Sequence, residues 1–192
     1  MAAIASARLL VSAVVVLGAS LHGAHPTANA DSGPSPQVSV REDLGTYVVA
    51  ASFDVPQAAG VALAVLSDYE QIPRFMPDVR TSVVLERSQG RLLVAQEAVS
   101  KFMMFSRTVH LLLEVTEEGD TITFVDRGGK SFTTYAGAWR AVQHDGGTTI
   151  TYALTARPAF EVSGFVLKRL LKRDSADMID RLRREIAARE AR

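Results

Sequence analysis

Residues 106–156 read SRTVHLLLEVTEEGDTITFVDRGGKSFTTYAGAWRAVQHDGGTTITYALTA, and four short segments within them alternate apolar and polar side chains. A period of two is typical of β-strands that bury one face, so the pattern predicts strands at 106–116, 121–127, 133–142 and 148–156. Parallel neighbours would need connections of about a dozen residues or more, and the connections here are shorter. The segment therefore predicts a meander of consecutive antiparallel strands.

The same alternation continues toward the N-terminus. It predicts two further meander strands at 79–87 and 91–99, and an earlier pair at 38–41 and 46–55 around a turn at 42–45. Gly45 supplies the positive φ that such a turn requires.

A short helix is predicted between the second strand and the meander. Pro56 suits the first turn of a helix, and the Ala-, Val- and Leu-rich residues 57–66 follow it. The next segment, YEQIPRFMP at 69–77, contains too many prolines for a long helix.

The C-terminal segment predicts a long amphipathic helix at 161–189. Its apolar side chains recur on one face at helical spacing, with Ser175 filling the gap between Leu167, Leu171, Met178, Leu182 and Ile186. A helix of about 28 residues is roughly 42 Å long, enough to cross a sheet roughly 30 Å wide. Because a twisted sheet curls around such a helix without touching it evenly, we expect a partly enclosed apolar space between the two layers.

Strand parity identifies the side chains that face this space. Side chains two residues apart share a face, and the uniformly apolar set from Val109 to Val115 marks the inward parity. The candidate ligand-binding residues on that parity are Arg107, Phe124, Asp126, Tyr135, Trp139 and Tyr152. We expect the aromatic members to line the space. Arg107 and Asp126 are expected to orient a polar head group, because a charge that faces a core must be paired or must serve a ligand.

Several segments resemble a known family. VLSDYEQIPRFMP at 65–77 resembles the V-L-x-D-Y-x-x-x-P-x-F-x-P segment of the polyketide cyclase/dehydrase and coenzyme Q-binding branch of the START-related (SRPBCC) superfamily. The resemblance continues in GAW at 137–139, GTTITY at 147–152 and Pro158, and it covers residues 48–186.

The resemblance implies an α+β helix-grip fold, in which a curved antiparallel sheet wraps around a long C-terminal helix and two short helices follow the first strand. It also implies a pocket beneath that helix, which relatives use for lipids, quinones or polyketides. Asp78 stands where the coenzyme Q branch usually has an aromatic residue, which argues against quinone specificity.

The N-terminal segment is typical of a secretory signal. Arg8 precedes an apolar run at 9–17, and the small residues Ala-Asn-Ala follow at 28–30. The run is too short for a membrane span, which needs roughly 20 apolar residues. We therefore expect a signal peptide at 1–30, a flexible tether at 31–37 and one domain at 38–192, located in the periplasm or secreted. The other interpretation is an uncleaved anchor or a disordered tail.

Composition excludes several function classes. The chain carries 21 Lys plus Arg against 21 Asp plus Glu, a balance that argues against a general nucleic-acid binder. It has no cysteine, which excludes disulfides and a thiolate nucleophile. After residue 30 the only histidines are His110, on the solvent-facing parity, and His144, in a predicted turn, so neither a triad nor a metal site is expected. No cofactor is predicted.

The sequence thus favours an exported protein that holds or carries an apolar ligand. One alternative is a cyclase/dehydrase-like enzyme in which Arg107, Asp126, Tyr135 and Tyr152 transfer protons. Another is a non-catalytic interaction scaffold.

The predicted C-terminal helix also carries a basic stripe: Lys168, Arg169, Lys172, Arg173, Arg181, Arg183 and Arg184. This stripe is typical of a solvated outer face, and the alternative is transient contact with an anionic membrane.

Overall fold

The computed structural model describes residues 36–102 and 105–190, with side chains left out at 101, 102 and 105. The predicted signal peptide at 1–30 and residues 31–35 of the predicted tether lie outside the described residues.

Eight strands and three α-helices make up the described part of the chain. In chain order they are β1 (Gln37–Asp43), β2 (Thr46–Val55), α1 (Ala59–Leu66), α2 (Ile72–Phe75), β3 (Val79–Ser88), β4 (Arg91–Phe102), β5 (Phe105–Glu118), β6 (Thr121–Asp126), β7 (Phe132–His144), β8 (Gly147–Pro158) and α3 (Gly164–Glu190). A single 3₁₀ turn, Tyr69–Gln71, precedes α2.

All eight strands form one antiparallel sheet in the order β1-β2-β8-β7-β6-β5-β4-β3. The predicted meander is confirmed as β3 to β8, and the β1–β2 hairpin joins it through the pairing of β2 with β8. β1 and β3 are therefore the two edges of the sheet. This arrangement confirms the α+β helix-grip fold.

Helix α3 lies closest to β1, β2 and α1. Leu167, Leu182 and Ile186 of the predicted apolar stripe are buried, as is Ser175, and Ile179 adds a wholly buried side chain that the stripe did not include. Hydrogen bonding of the helix begins at the Ser163 carbonyl, which accepts the Leu167 N–H at 3.0 Å, so residues 161–163 belong to the preceding loop.

Two side chains of the segment at 65–77 connect it to the rest of the fold. The Asp68 carboxylate pairs with the Arg189 guanidinium near the end of α3 at 2.8 Å, and the Tyr69 hydroxyl donates to the Glu117 carboxylate on β5 at 2.6 Å. Glu117 is half-buried near the end of β5. Burial and the hydrogen bond to Glu117 both raise the pKa of Tyr69, which therefore remains a donor.

The basic stripe also needs a correction. Arg183 is half-buried, and its guanidinium carbon lies 5.4 Å from the centroid of the Phe53 ring on the inner face of β2. It does not belong to the outer face of α3, whereas Lys168, Arg169 and Lys172 are exposed. Within the described residues, no helix is both long enough and apolar enough to span a membrane.

Candidate ligand-binding site

Four of the predicted site residues meet on the inner, concave face of the sheet. Trp139 of β7 lies opposite Tyr152 of β8, with ring centroids 4.3 Å apart. The ring of Phe124 on β6 lies 5.9 Å from that of Tyr135 and 6.4 Å from that of Tyr152. Offset contacts at such distances stabilise an aromatic cluster beyond the burial of its area.

Gly137 makes room for this cluster. It pairs with Phe124 across β6 and β7, and a Cβ atom at Gly137 would lie 2.6 Å from Cζ of the Phe124 ring and against the Ala153 carbonyl. Any side chain at this position would therefore displace the Phe124 ring.

Phe132 joins the cluster but was not among the predicted residues. Its ring lies 4.9 Å from that of Tyr135, although residues 132 and 135 have opposite parity. A register shift between Phe132 and Thr134 reverses the alternation at this point, and such a bulge leaves no mark in an alternating pattern.

A phenol pair is the polar part of the cluster. The hydroxyls of Tyr135 and Tyr152 lie close enough to influence each other's pKa, and burial raises the pKa of both. The nearby Asp126 carboxylate raises the pKa of Tyr135 further. Both groups are thus protonated at neutral pH and are able to donate to, or accept from, a polar atom of a ligand.

Asp126 itself holds a loop together. Its carboxylate accepts the backbone N–H groups of Leu112 at 2.8 Å, Gly128 at 2.9 Å and Gly129 at 3.2 Å. These bonds tie the loop between β6 and β7 to β5, so the interaction that a partly buried carboxylate needs is supplied by backbone.

Arg107 lies at the rim. It is exposed, and its guanidinium carbon lies 3.8 Å from the centroid of the Phe160 ring in the loop before α3. This stacking on an aromatic face explains its position without a buried ion pair.

Sequence reasoning also missed a polar contact between α3 and the sheet. The Ser100 hydroxyl of β4 donates to the Asp174 carboxylate at 3.2 Å. Burial raises the pKa of Asp174, and Asp78 adds to this effect, while hydrogen bonds from Arg173 and Ser100 oppose it. Asp174 stands between Leu171 and Met178 at helical spacing, so a carboxylate within the apolar stripe was the available signal.

Side chains on one part of the concave face remain partly accessible. The core at β2 and β8 is closed, with Val49 and Ile150 wholly buried. Farther along the sheet, inward-facing side chains of β4, β5 and β7 and their counterparts on α3 are only half-buried: Gln96, Ala98, Val109, Leu111, Tyr135, Trp139, Leu171 and Met178. Because α3 lies over β1 and β2, this part of the sheet is the less completely covered one.

A separate cleft of about 590 Å³ opens at the end of the sheet. Its walls are Gly45 and Tyr47 of the β1–β2 hairpin, Arg157 and Pro158 at the end of β8, and the loop at 160–163. The cleft therefore lies at the N-terminal end of α3. Burial and the neighbouring Glu42 raise the pKa of Tyr47.

No group of three metal-ligating side chains is found in the part of the chain that the structure describes.

A family model described as "Polyketide cyclase / dehydrase and lipid transport" matches residues 55–183. No curated protein sequence matches the chain.

Solved structures with the same fold include three from bacteria. A STAR-related lipid transfer protein fragment from Xanthomonas axonopodis is 19% identical, with 82% of this chain and 97% of that chain covered and a TM-score of 0.66. A START superfamily protein from Mycobacterium smegmatis is 17% identical, with 73% and 97% covered and a TM-score of 0.65. The Zhui aromatase/cyclase from Streptomyces sp. R1128 is 16% identical, with 75% and 95% covered and a TM-score of 0.63. At these identities the likeness establishes the fold.

Proposed function

The chain belongs to the polyketide cyclase/dehydrase and lipid transport family, and from this premise we propose that it binds and carries an apolar small molecule between α3 and the concave face of the sheet. The proposed ligand is a lipid, quinone or polyketide-like compound. The observation that carries the proposal is the set of half-buried, inward-facing apolar side chains around Trp139 and Leu171, next to the Tyr135–Tyr152 phenol pair.

Binding would follow the usual physics of such sites. Apolar surface moved out of water contributes about 25 cal/mol per Å², so an acyl chain or a ring system gains most of its affinity from contact with these side chains. The phenol pair offers a ligand carbonyl or hydroxyl a hydrogen bond.

Native mass spectrometry of gently purified protein tests the proposal, because a retained ligand adds mass. The matched variants are Ala98→Phe, which places a ring in the proposed space, and Ala95→Phe, which places the same ring on the opposite face of β4. We expect Ala98→Phe to lose the added mass and Ala95→Phe to keep it.

Binding is also measurable in solution. Trp139 is the chain's single tryptophan and lies in the proposed site. Energy transfer from Trp139 to cis-parinaric acid should report binding in the wild type and in Ala95→Phe, but not in Ala98→Phe. A wild type that neither retains a ligand nor transfers energy would favour the scaffold interpretation.

A cyclase/dehydrase-like activity is the second candidate, favoured by acid–base groups on the inner face of the sheet and on α3 opposite it. These are the Tyr135–Tyr152 pair and Asp174. Incubation with a poly-β-keto thioester distinguishes the two: a carrier returns the compound unchanged, whereas an enzyme yields a cyclised product lacking one water, and Tyr152→Phe should slow that conversion.

Export is proposed as well, with residues 1–30 as a cleaved signal and the mature protein in the periplasm or outside the cell. Sequencing the N-terminus of protein recovered from those fractions should find Asp31 as the first residue. Recovery only from the cytoplasm, with an intact N-terminus, would contradict export.

We also propose transient contact between the basic outer face of α3 and an anionic membrane. Lys168, Arg169 and Lys172 are exposed on this face. Each cation near an anionic surface contributes about 1 kcal/mol, so the double variant Lys168→Glu, Lys172→Glu should sediment poorly with anionic vesicles.

A further inference from the structure

Among the described residues, the two most exposed large apolar side chains lie at one end of the molecule. Leu44, in the turn between β1 and β2, is 85% exposed, and Phe165, in the first turn of α3, is 74% exposed. The two turns are adjacent, because a Cβ atom at Gly164 would lie 3.2 Å from the Tyr47 hydroxyl and 3.7 Å from a Glu42 carboxylate oxygen. The pair, Leu44 and Phe165, is called the apolar tip below.

Leu44 is an unfavourable choice for its own turn. Asp43 pairs with Thr46, so Leu44 and Gly45 are the two turn residues, with φ of 47° and 77°. Two-residue hairpins with positive φ at both positions favour Asn, Asp or Gly at the first, because a larger side chain crowds the backbone. A leucine here is both strained and exposed, and neither folding nor solubility accounts for it. Such conflicts between local preference and observed residue concentrate at functional positions.

The apolar tip stands beside an opening. Gly45, next to Leu44, and Ser163, two residues before Phe165, both line the 590 Å³ cleft. A surface that contacts the tip is therefore also close to the cleft.

The charges around the tip favour an anionic surface. Exposed cations at this end are Arg41, Arg107, Arg157, Lys168 and Arg169, and exposed acids are Glu42, Asp43 and Glu161. Glu42 is partly compensated, since its carboxylate accepts the Gly45 N–H at 3.2 Å and lies at the N-terminus of α3. Lys172, one turn farther along α3, extends the cationic side.

We propose that Leu44 and Phe165 insert into an anionic lipid bilayer and bring the mouth of the cleft to its surface. The inference deepens the membrane contact proposed above and assigns its apolar part to two residues. Insertion moves the Leu44 side chain from water into apolar surroundings, and it brings the cations of α3 close to the lipid phosphates.

The chain's lack of cysteine permits a direct test. Single variants Leu44→Cys and Phe165→Cys are labelled with a nitrobenzoxadiazole fluorophore, and Leu85→Cys serves as the control. Leu85 is also exposed and apolar, at 54%, but it lies on β3 at the other edge of the sheet. With vesicles of equal parts phosphatidylcholine and phosphatidylglycerol, emission should rise and shift to the blue at positions 44 and 165 and stay unchanged at 85. Equal responses at all three positions, or none, would overturn the inference.

Substitution gives a second readout in which loss of folding cannot imitate the result. Leu44→Asn suits the turn and should raise Tm by about 2–4 °C, yet lower vesicle partitioning about tenfold. Phe165→Ser should lower partitioning by a similar factor, and Leu85→Ser should not change it. A more stable Leu44→Asn that partitions like the wild type would contradict insertion.

Two further measurements separate this inference from its alternatives. If the tip instead joined two copies of the chain, sedimentation velocity would find a wild-type dimer that Leu44→Asn converts to monomer, which would overturn the membrane assignment. Native mass spectrometry of Leu44→Asn should find the ligand retained. Insertion without any ligand in the wild type would count against the carrier proposal alone, and ligand binding without insertion would count against the tip alone.

Discussion

Asp174 is a carboxylate within the apolar stripe of α3, next to Ser175. It accepts from Ser100 on β4 and pairs with Arg173 beside it at 2.7 Å. Burial nevertheless dominates and raises its pKa, with help from Asp78. The folded protein thus prefers the protonated form of this residue more than the unfolded chain does.

The sign of the resulting pH dependence follows from that preference. Below the ordinary aspartate pKa the group is neutral in both states. As pH rises from that value to the raised pKa of the folded state, the unfolded chain ionises first, so the free energy of unfolding falls and then stays lower. We therefore expect Asp174→Asn to gain stability relative to the wild type between about pH 4 and neutrality. The gain should stay below about 1 kcal/mol, because the side chain is partly exposed and screened.

Urea unfolding across this pH range measures the difference. Asp177→Asn, at an exposed position on the same helix, is the matched control and should follow the wild type at every pH. Parallel curves for Asp174→Asn and the wild type would contradict the assignment.

Side-chain positions on regular strands were predictable, and those at irregular points were not. Period-two parity placed Phe124, Trp139 and Tyr152 on one face because β6, β7 and β8 pair without interruption there. Phe132 was not predicted because a bulge reverses the parity between it and Tyr135. Parity put Asp126 on the inward face, but it carries no information on which backbone groups a carboxylate will bind.

Ion pairs and a hydrogen bond hold the C-terminal end of α3 against neighbouring segments. The Arg189 guanidinium bonds Asp68 at 2.8 Å and Glu185 at 2.9 Å. Beside it, the Gln57 amide donates to Glu190 at 2.8 Å. These bonds attach the helix end to the segments on either side of α1, and they explain the aspartate of the family-like segment at 65–77 as structural.

Removing the Arg189 ion pairs should lower the free energy of unfolding. Arg189→Met keeps the aliphatic stem and deletes the ionic hydrogen bonds, so we expect the free energy of unfolding to fall by about 1–3 kcal/mol. Arg184→Met, at an exposed position on the same helix, should stay within about 0.5 kcal/mol of the wild type. Urea unfolding compares the two, and equal losses would show that Arg189 contributes no more than a surface arginine.

Element bounds followed the same logic as side chains. The strand predicted at 46–55 matches β2, because its alternation is uninterrupted. β4 and β5 extend into the segment at 100–105, whose run of apolar residues lacks the alternation that marks a strand. The position of α3 over β1 and β2 depends on long-range packing, which periodicity within one segment does not report.

Across the whole molecule, the two ends of α3 differ in how they are held. The C-terminal end has the Arg189 and Gln57 contacts and the wholly buried Ile179 and Ile186. The N-terminal half has Leu167 and the Ser100–Asp174 hydrogen bond, and it faces the less completely covered part of the sheet. A ligand between the layers would fill the surroundings of the weaker half.

This asymmetry predicts where a ligand acts. In protein stripped of ligand, amide hydrogens in residues 164–174 should exchange faster than those in 179–190, because local opening follows the density of buried contacts. Palmitate at about 100 times its Kd should stabilise the fold by about 2.7 kcal/mol and raise Tm by about 5–10 °C. The added protection should fall mainly in 164–174.

The Ala98→Phe variant, whose ring occupies the same space, is the control. Its amide hydrogens in 164–174 should exchange slowly without palmitate and gain little further protection from it. Uniform exchange along α3 in the stripped protein, or protection gained equally at both ends, would mean that the helix is held as one rigid unit and that the space beneath its N-terminal half is not where the ligand binds.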